Sequence, residues 1–299
     1  MGDCKGSLGI SCYFCPMRFL FPFFLVLLLG NPGFAQQISC SPQDRPLFGA
    51  KMAELHRISG RDLGDSLIEI GKSFQGLPYV EKTLEVGQRE TLVVNLRGLD
   101  CTTFVENVLA FGLLLREGKS DFDRFAHQLL RVRYRDGKLQ GYPSRLHYFS
   151  DWIRNNAQKG LVVDITPELG GIAVQKPLDF MGTHRELYPF LASDENYAAL
   201  LAVEADLAGQ PLCYLPTDKI REKQGMIRSG DIIALATAVK GLDVTHTGLA
   251  IEMEDGRLHL LHASSANGKV EITQEPLVDY LGKVKGNIGI LVARPLFAP

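Results

Sequence analysis

Between residues 101 and 115 the alternation of polar and apolar positions gives way to a helix that is apolar on almost every side: Phe104, Val105, Val108, Leu109, Phe111, Leu113, Leu114 and Leu115. Such a helix belongs inside a core rather than on a surface. Upstream, Leu55, Ile58, Leu63, Leu67, Ile68 and Ile70 recur among charged residues and predict one helix over 46–70. A turn over 71–78 and a short extended piece at Tyr79 and Val80 follow, and 92–96 reads as a strand that delivers the chain to the apolar helix. Downstream, the pattern predicts a helix over 121–130, then a strand over 131–138 ending in an Asp-Gly turn. The arginines of that strand read as a solvated sheet face rather than as an anion site. A short strand over 161–165, a helix over 188–207, a short helix over 217–223 and a buried strand from Gly230 complete the middle of the chain.

The most informative pattern is a hairpin of 244–252 and 257–263 around Glu254-Asp255-Gly256. A two-residue turn would put His262 on the face of Leu249 and Ile251, away from His246. A three-residue loop with Gly256 in the left-handed conformation places His262 opposite Gly248 instead. His246 and His262 then share a face as a diagonal pair, with Cβ atoms about 7 Å apart or somewhat less. The other face becomes mostly apolar, so the pattern prefers this register. His259 falls on that other face and serves as a negative control.

Composition narrows the class. Of 299 residues, 45% are hydrophobic and 22% charged, with a formal net charge of −2. This is an ordinary balance for a folded domain, and no basic excess points to nucleic acid. Near the start, Met17 and Arg18 precede an apolar run over 19–29 and small residues leading to Ala35. That is the form of a secretory signal over 1–35, with Met17 as an alternative start and no transmembrane span left in the mature protein. Cleavage removes Cys4, Cys12 and Cys15 and leaves Cys40, Cys101 and Cys213. In an oxidising compartment these three are either all unpaired, or Cys40 pairs with Cys213 and Cys101 stays free.

Asp100 is a good N-cap and places Cys101 at the first helical position, where the helix dipole favours a thiolate. A cysteine nucleophile needs an imidazole, and the imidazole needs an orienting group. Cys101, His246 and His262 supply these three roles. The segment Tyr142-Pro143-Ser144-Arg145-Leu146-His147-Tyr148-Phe149-Ser150-Asp151-Trp152 mixes aromatic and polar side chains in a manner suited to a ligand cleft. It reads equally as a helix start with Ser144 as cap and Tyr148, Phe149 and Trp152 in the core. Cys101, His246 and His262 are also the ligand types of an open zinc site, but no acidic fourth group stands at an obvious spacing. A non-catalytic cell-wall binding module is the remaining alternative.

Asp100-Cys101, Gly230-Asp231-Ile232-Ile233, Thr245-His246-Thr247-Gly248-Leu249-Ala250-Ile251 and Leu261-His262-Ala263-Ser264-Ser265 together resemble the NlpC-type papain-like cysteine peptidases of bacterial cell walls. Gly76-Leu77-Pro78-Tyr79-Val80 resembles the segment with that superfamily's active-site tyrosine. More narrowly, the stretch from Asp100 to Glu106 and Ser144-Arg145-Leu146-His147-Tyr148-Phe149 resemble the N-acetylmuramoyl-L-alanine amidase-like branch. The resemblance implies an α+β fold with a papain-like core, in which the Cys-bearing helix packs on an antiparallel sheet. It adds a largely helical N-terminal region and an insertion over about 116–229 within one domain, 36–299. It implies Cys101 as nucleophile, His246 as base and His262 as orienter, with no cofactor. Tyr79, Asp100, Ser144, Arg145 and His147 become candidate substrate contacts. The implied substrate is peptidoglycan or a muropeptide, cut at the muramoyl–L-alanine amide or, alternatively, at the γ-D-glutamyl–diamino acid bond. The implied location is the periplasm.

Overall fold

The computed structural model describes residues 38–56 and 63–296. The signal segment expected over 1–35, with its alternative start at Met17, lies outside the described residues. In chain order the elements are β1 (Ile38–Cys40), α1 (Asp44–Leu55), α2 (Leu63–Lys72), β2 (Leu92–Val94), α3 (Cys101–Arg116), α4 (Phe122–Arg133), α5 (Phe149–Gln158), β3 (Val162–Asp164), β4 (Ile172–Val174), α6 (Phe180–Thr183), α7 (Asp194–Ala208), β5 (Leu212–Pro216), α8 (Thr217–Lys223), β6 (Ile232–Thr237), β7 (Val244–Glu252), β8 (Leu258–Ser264), β9 (Lys269–Ile272), α9 (Leu277–Lys283) and β10 (Asn287–Pro295). No helix among the described residues is long and apolar enough to cross a membrane.

The main sheet runs β4-β5-β10-β6-β7-β8-β9, with β3 also on β10, and every pair in it is antiparallel. Alternation along the central strands sorts side chains into two cores. Ile232, Ala234, Leu249, Ile251, Leu261 and Ala263 join the residues of α3, α4 and α5 on one face. Ile233, Leu235, Ala250, Leu260 and Val292 meet Ile220 of α8 and Leu277 and Leu281 of α9 on the other. With both faces covered, β6 is buried along its whole length, and α3 is buried on nearly all sides as its composition requires. A third cluster forms around α7, where Leu200 and Leu207 pack with Met181, Phe190, Tyr142 and Tyr148.

Several local readings are corrected. The helix expected over 46–70 is two helices, α1 and α2. The strand expected over 131–138 does not form, because α4 runs on to Arg133 and a tight 3-10 turn follows over Arg135–Gly137. Phe125, Leu129, Leu130 and Val132 complete a helical stripe there. Arg133 is buried rather than solvated, since Glu106 of α3 receives its Nε–H at 2.6 Å. The helix after the aromatic-rich segment starts at Phe149 with Tyr148, not Ser144, at its N-cap. The helix expected over 188–207 is a 3-10 turn at Pro189–Ala192 followed by α7, which Ser193 caps. The segment expected as an insertion over about 116–229 contributes β3 and β5, which both pair with β10. Cys40, Cys101 and Cys213 are all free thiols.

Candidate active site

The site begins with the cap of α3. The Asp100 carboxylate accepts from Thr103 N–H at 2.7 Å, and Asp100 N–H donates to Thr103 Oγ1 at 2.9 Å. This reciprocal pair satisfies two groups at the helix start and fixes where Cys101 sits. The Tyr79 backbone runs alongside, bridged to Leu99, with Val80 N–H donating to Leu99 O at 3.1 Å.

The β7–β8 hairpin supplies the imidazoles. Met253 N–H donates to Arg257 O at 3.0 Å across the three-residue loop, and Gly256 takes φ +73°, the left-handed conformation that glycine adopts without strain. Leu249 then pairs with Leu261, which sets Gly248 opposite His262. A Cβ on Gly248 would lie 2.8 Å from Leu261 O and 2.9 Å from His262 Cβ, so only glycine fits beside the ring. His246 Nε2 and His262 Nδ1 meet at 2.5 Å. His259 faces the other way, pairs with Ile251 and holds Thr273 O through Nδ1 at 2.8 Å.

Thr247 joins helix and hairpin. Its hydroxyl donates to Cys101 O at 3.0 Å. Cys101 is partly accessible. Among the described residues no hydrogen bond links its sulfur to either imidazole. Two tyrosines stand within electrostatic reach of Cys101. Burial, then Cys101, then Asp100 push Tyr79 up to about 12. Tyr280 of α9, whose ring meets His262 edge-on at 5.5 Å, is pushed up by burial and then by Cys101.

The electrostatics differ from the thiolate expected at a helix N-terminus. Burial, then the Asp100 carboxylate, push the Cys101 thiol up to about 11, against the opposing hydrogen bonds from Thr247 and Thr102. The residue that caps the helix thus also sets a negative charge beside the sulfur. Burial lowers His246 to about 4, and burial followed by the His246 charge lowers His262 to about 3. The resting site holds a thiol and two neutral rings.

The other sequence candidates are engaged within the protein. Ser144 Oγ donates to Gly141 O at 2.6 Å and receives Gln140 N–H at 2.9 Å. Arg145 is buried between Glu85 and Glu90 at 3.6 and 3.5 Å, with its guanidinium 4.8 Å above the Tyr142 ring. His147 Nε2 lies 2.9 Å from Tyr142 O. Thr247 and Tyr280 escaped the sequence reading. Thr247 sits inside a quoted motif but carries no catalytic signature, and nothing local to α9 ties Tyr280 to a ring on β8. Among the described residues no three His, Cys, Asp or Glu side chains are grouped to hold a metal.

A family model described as AmiA-like, N-acetylmuramoyl-L-alanine amidase-like, matches residues 69–290. A structure named as an N-acetylmuramoyl-L-alanine amidase from Bacteroides uniformis is 40% identical, over 78% of this chain and 98% of that one, with a TM-score of 0.74. A Bacteroides fragilis protein described as a candidate xylanase is 45% identical over 75% and 98% of the two chains, with a TM-score of 0.71. A Legionella pneumophila protein at 23% identity shares the fold, with a TM-score of 0.65 over 84% and 95%. None of the curated proteins compared matches the chain.

Proposed function

The chain belongs to the AmiA-like, N-acetylmuramoyl-L-alanine amidase-like family, and from that premise we propose that it is an exported cysteine amidase with a papain-like, NlpC-type core. Its bond is the amide between the lactyl carboxyl of N-acetylmuramic acid and L-alanine in peptidoglycan fragments. The observations that support this reading are the helix-capped Cys101, tied to the hairpin by the Thr247 hydroxyl, and the His246–His262 ring pair carried by that same hairpin.

The chemistry starts from neutral partners. His246 uses Nε2 for His262, so Nδ1 is the nitrogen left to take the Cys101 proton as sulfur adds to the carbonyl. The N–H groups of Cys101 and Thr102, which have no acceptor among the described residues, are the donors this reading assigns to the oxyanion. Each such donor contributes about 2.7–4 kcal/mol to barrier lowering in comparable sites. The C–N bond then breaks, and the L-alanine amine leaves with the proton from His246. Water, deprotonated by the same ring, releases the thioester as a free lactyl carboxylate and restores the thiol. His262 holds His246 in the required tautomer.

A glycosidase in the sense of the Bacteroides fragilis name would need two carboxyl groups flanking a sugar bond. Beside the Cys101 thiol stand Asp100, already committed to capping, and two tyrosines, which favours acyl transfer. The apolar run near Met17 and the small residues before Ala35 support export to the periplasm.

Digesting purified muropeptides and identifying the new termini by mass spectrometry tests the reading. The expected products are a free L-alanine amine and a muramoyl carboxylate, with none from Cys101→Ala. A new amine on the diamino acid, or hydrolysis by Cys101→Ala, would overturn it.

A further inference from the structure

The proton count in the imidazole pair leaves one group unexplained. If His246 Nδ1 is to accept from the thiol, His246 carries its hydrogen on Nε2 and donates it to His262 Nδ1. His262 must then carry its own hydrogen on Nε2. That atom is buried with no hydrogen-bond partner, in a residue only 2% exposed. Leaving a buried donor unpaired carries its full desolvation penalty, so an acceptor is expected within reach.

Beyond the ring lies a cavity of about 370 Å³ lined by His262, Ser264, Asn267, Glu271, Glu275 and Tyr280, among others. Of its acids, one is placed by register. His262 on β8 and Glu271 on β9 are direct partners, and directly opposed residues of an antiparallel pair project from the same face with Cβ atoms about 4.5–5.5 Å apart. One Glu271 oxygen receives the Asn267 amide at 2.5 Å, and the second is claimed by no described residue. The volume is ample for a bridging water.

We propose that Glu271 is a positioning residue of the site, accepting the His262 Nε2 hydrogen directly or through one water in this cavity. The chain Asn267–Glu271–His262–His246 then fixes both ring tautomers. This inference rests on the amidase reading for its kinetic consequence but not for its structural one. The titratable groups that share the cavity with His262 are Glu271 of β9, Glu275 of the β9–α9 turn and Tyr280 of α9, and Cys101 at the start of α3 lies within electrostatic reach of Tyr280. Glu275 is already paired with Lys283, which leaves Glu271 as the unneutralised carboxylate beside the ring.

The test has two arms on the full chain. Imidazole ¹⁵N spectra of Cys101→Ala protein, with and without Glu271→Gln, read the tautomers and the titration of the two rings. The expected result is an Nε2–H tautomer of His262 that Glu271→Gln depletes, with both rings titrating at lower pH once the negative charge is gone. In the kinetic arm, Glu271→Gln lowers kcat on muropeptides by about tenfold at unchanged KM, moves the acid limb to lower pH, and is partly rescued by Glu271→Asp. Glu275→Gln leaves tautomer and rate unaltered. Unchanged tautomers and titration in Glu271→Gln overturn the proposal even if kcat falls, since a fold defect alone would do that. If the wild-type chain hydrolyses no muropeptide, the amidase reading fails and the spectra still decide Glu271.

Discussion

His246 and His262 meet edge-on, their rings 89° apart and the facing nitrogens 2.5 Å from each other across the β7–β8 hairpin. The contact exists because Gly248 lies opposite His262 and has no side chain. Gly248→Ala would place a methyl 2.8 Å from the Leu261 carbonyl and 2.9 Å from His262 Cβ, and backbone cannot yield cheaply. The expected outcome is a loss of about 1–3 kcal/mol in urea unfolding, together with a fall in muropeptide hydrolysis larger than the fraction unfolded explains. An active, fully stable Gly248→Ala protein would show that the ring pair tolerates displacement.

Cys101 and Asp100 make a second relationship open to test. With burial first and Asp100 second raising the thiol to about 11, iodoacetamide alkylation should be slow at pH 7 and accelerate with pH well beyond the usual cysteine range. Asp100→Asn removes the charge, while asparagine caps helices as well as aspartate does. It should therefore speed alkylation at a given pH with little change in melting temperature. A rate that plateaus near neutral pH in the wild type would mean the thiolate forms readily after all.

The buried histidines make stability depend on pH with a definite sign. His246 is lowered to about 4, His262 to about 3 and His147 to about 3, from an ordinary value of 6.5, in each case chiefly by burial. Below pH 6.5 the unfolded chain takes up protons that the folded chain refuses, so folding stability is complete above pH 6.5 and declines as pH falls toward 3–4. Denaturant midpoints measured between pH 7.5 and 4.5 should drop steadily. The slope should be shallower in His147→Gln, which removes one of the three rings while keeping a donor for Tyr142 O. A flat profile across that window would contradict neutral burial of these rings.

How far the sequence reveals this site depends on the range of the interactions involved. The hairpin register was legible because a period of two and one left-handed glycine, Gly256, jointly fix it. The α3 core helix was legible because no arrangement other than burial suits its residues. Arg131-Val132-Arg133-Tyr134 looked like a strand because its alternation is local, whereas its true partners are remote. Arg133 answers Glu106, 27 residues away, and the Tyr134 hydroxyl donates to Glu90 at 2.7 Å, 44 residues away. Thr247 and Tyr280 acquire meaning only when α3 and α9 arrive at the hairpin. The thiol departs from the sequence expectation for a related reason: the helix dipole is visible in sequence, while burial of the sulfur is not.

The Glu106–Arg133 pair ties α3 to α4, with both side chains 2% exposed. Arg133 also donates through Nη1 to Val93 O at 2.6 Å, so a single guanidinium joins α3, α4 and β2. Burial raises the Glu106 carboxyl, and Arg133 opposes that shift. Removing one partner strands a buried charge, and Arg133→Met should cost about 3–5 kcal/mol. The double variant Glu106→Leu with Arg133→Met leaves no orphaned charge and loses only the hydrogen bond to Val93 O. It should recover most of that loss, because desolvation of the pair offsets much of its attraction. Since the pair sits along the helix whose first residue is Cys101, the single variant should also lower hydrolysis at temperatures where it remains folded, and the double should restore it. Equal destabilisation in single and double variants would mean that the ion pair contributes net stability beyond its own desolvation.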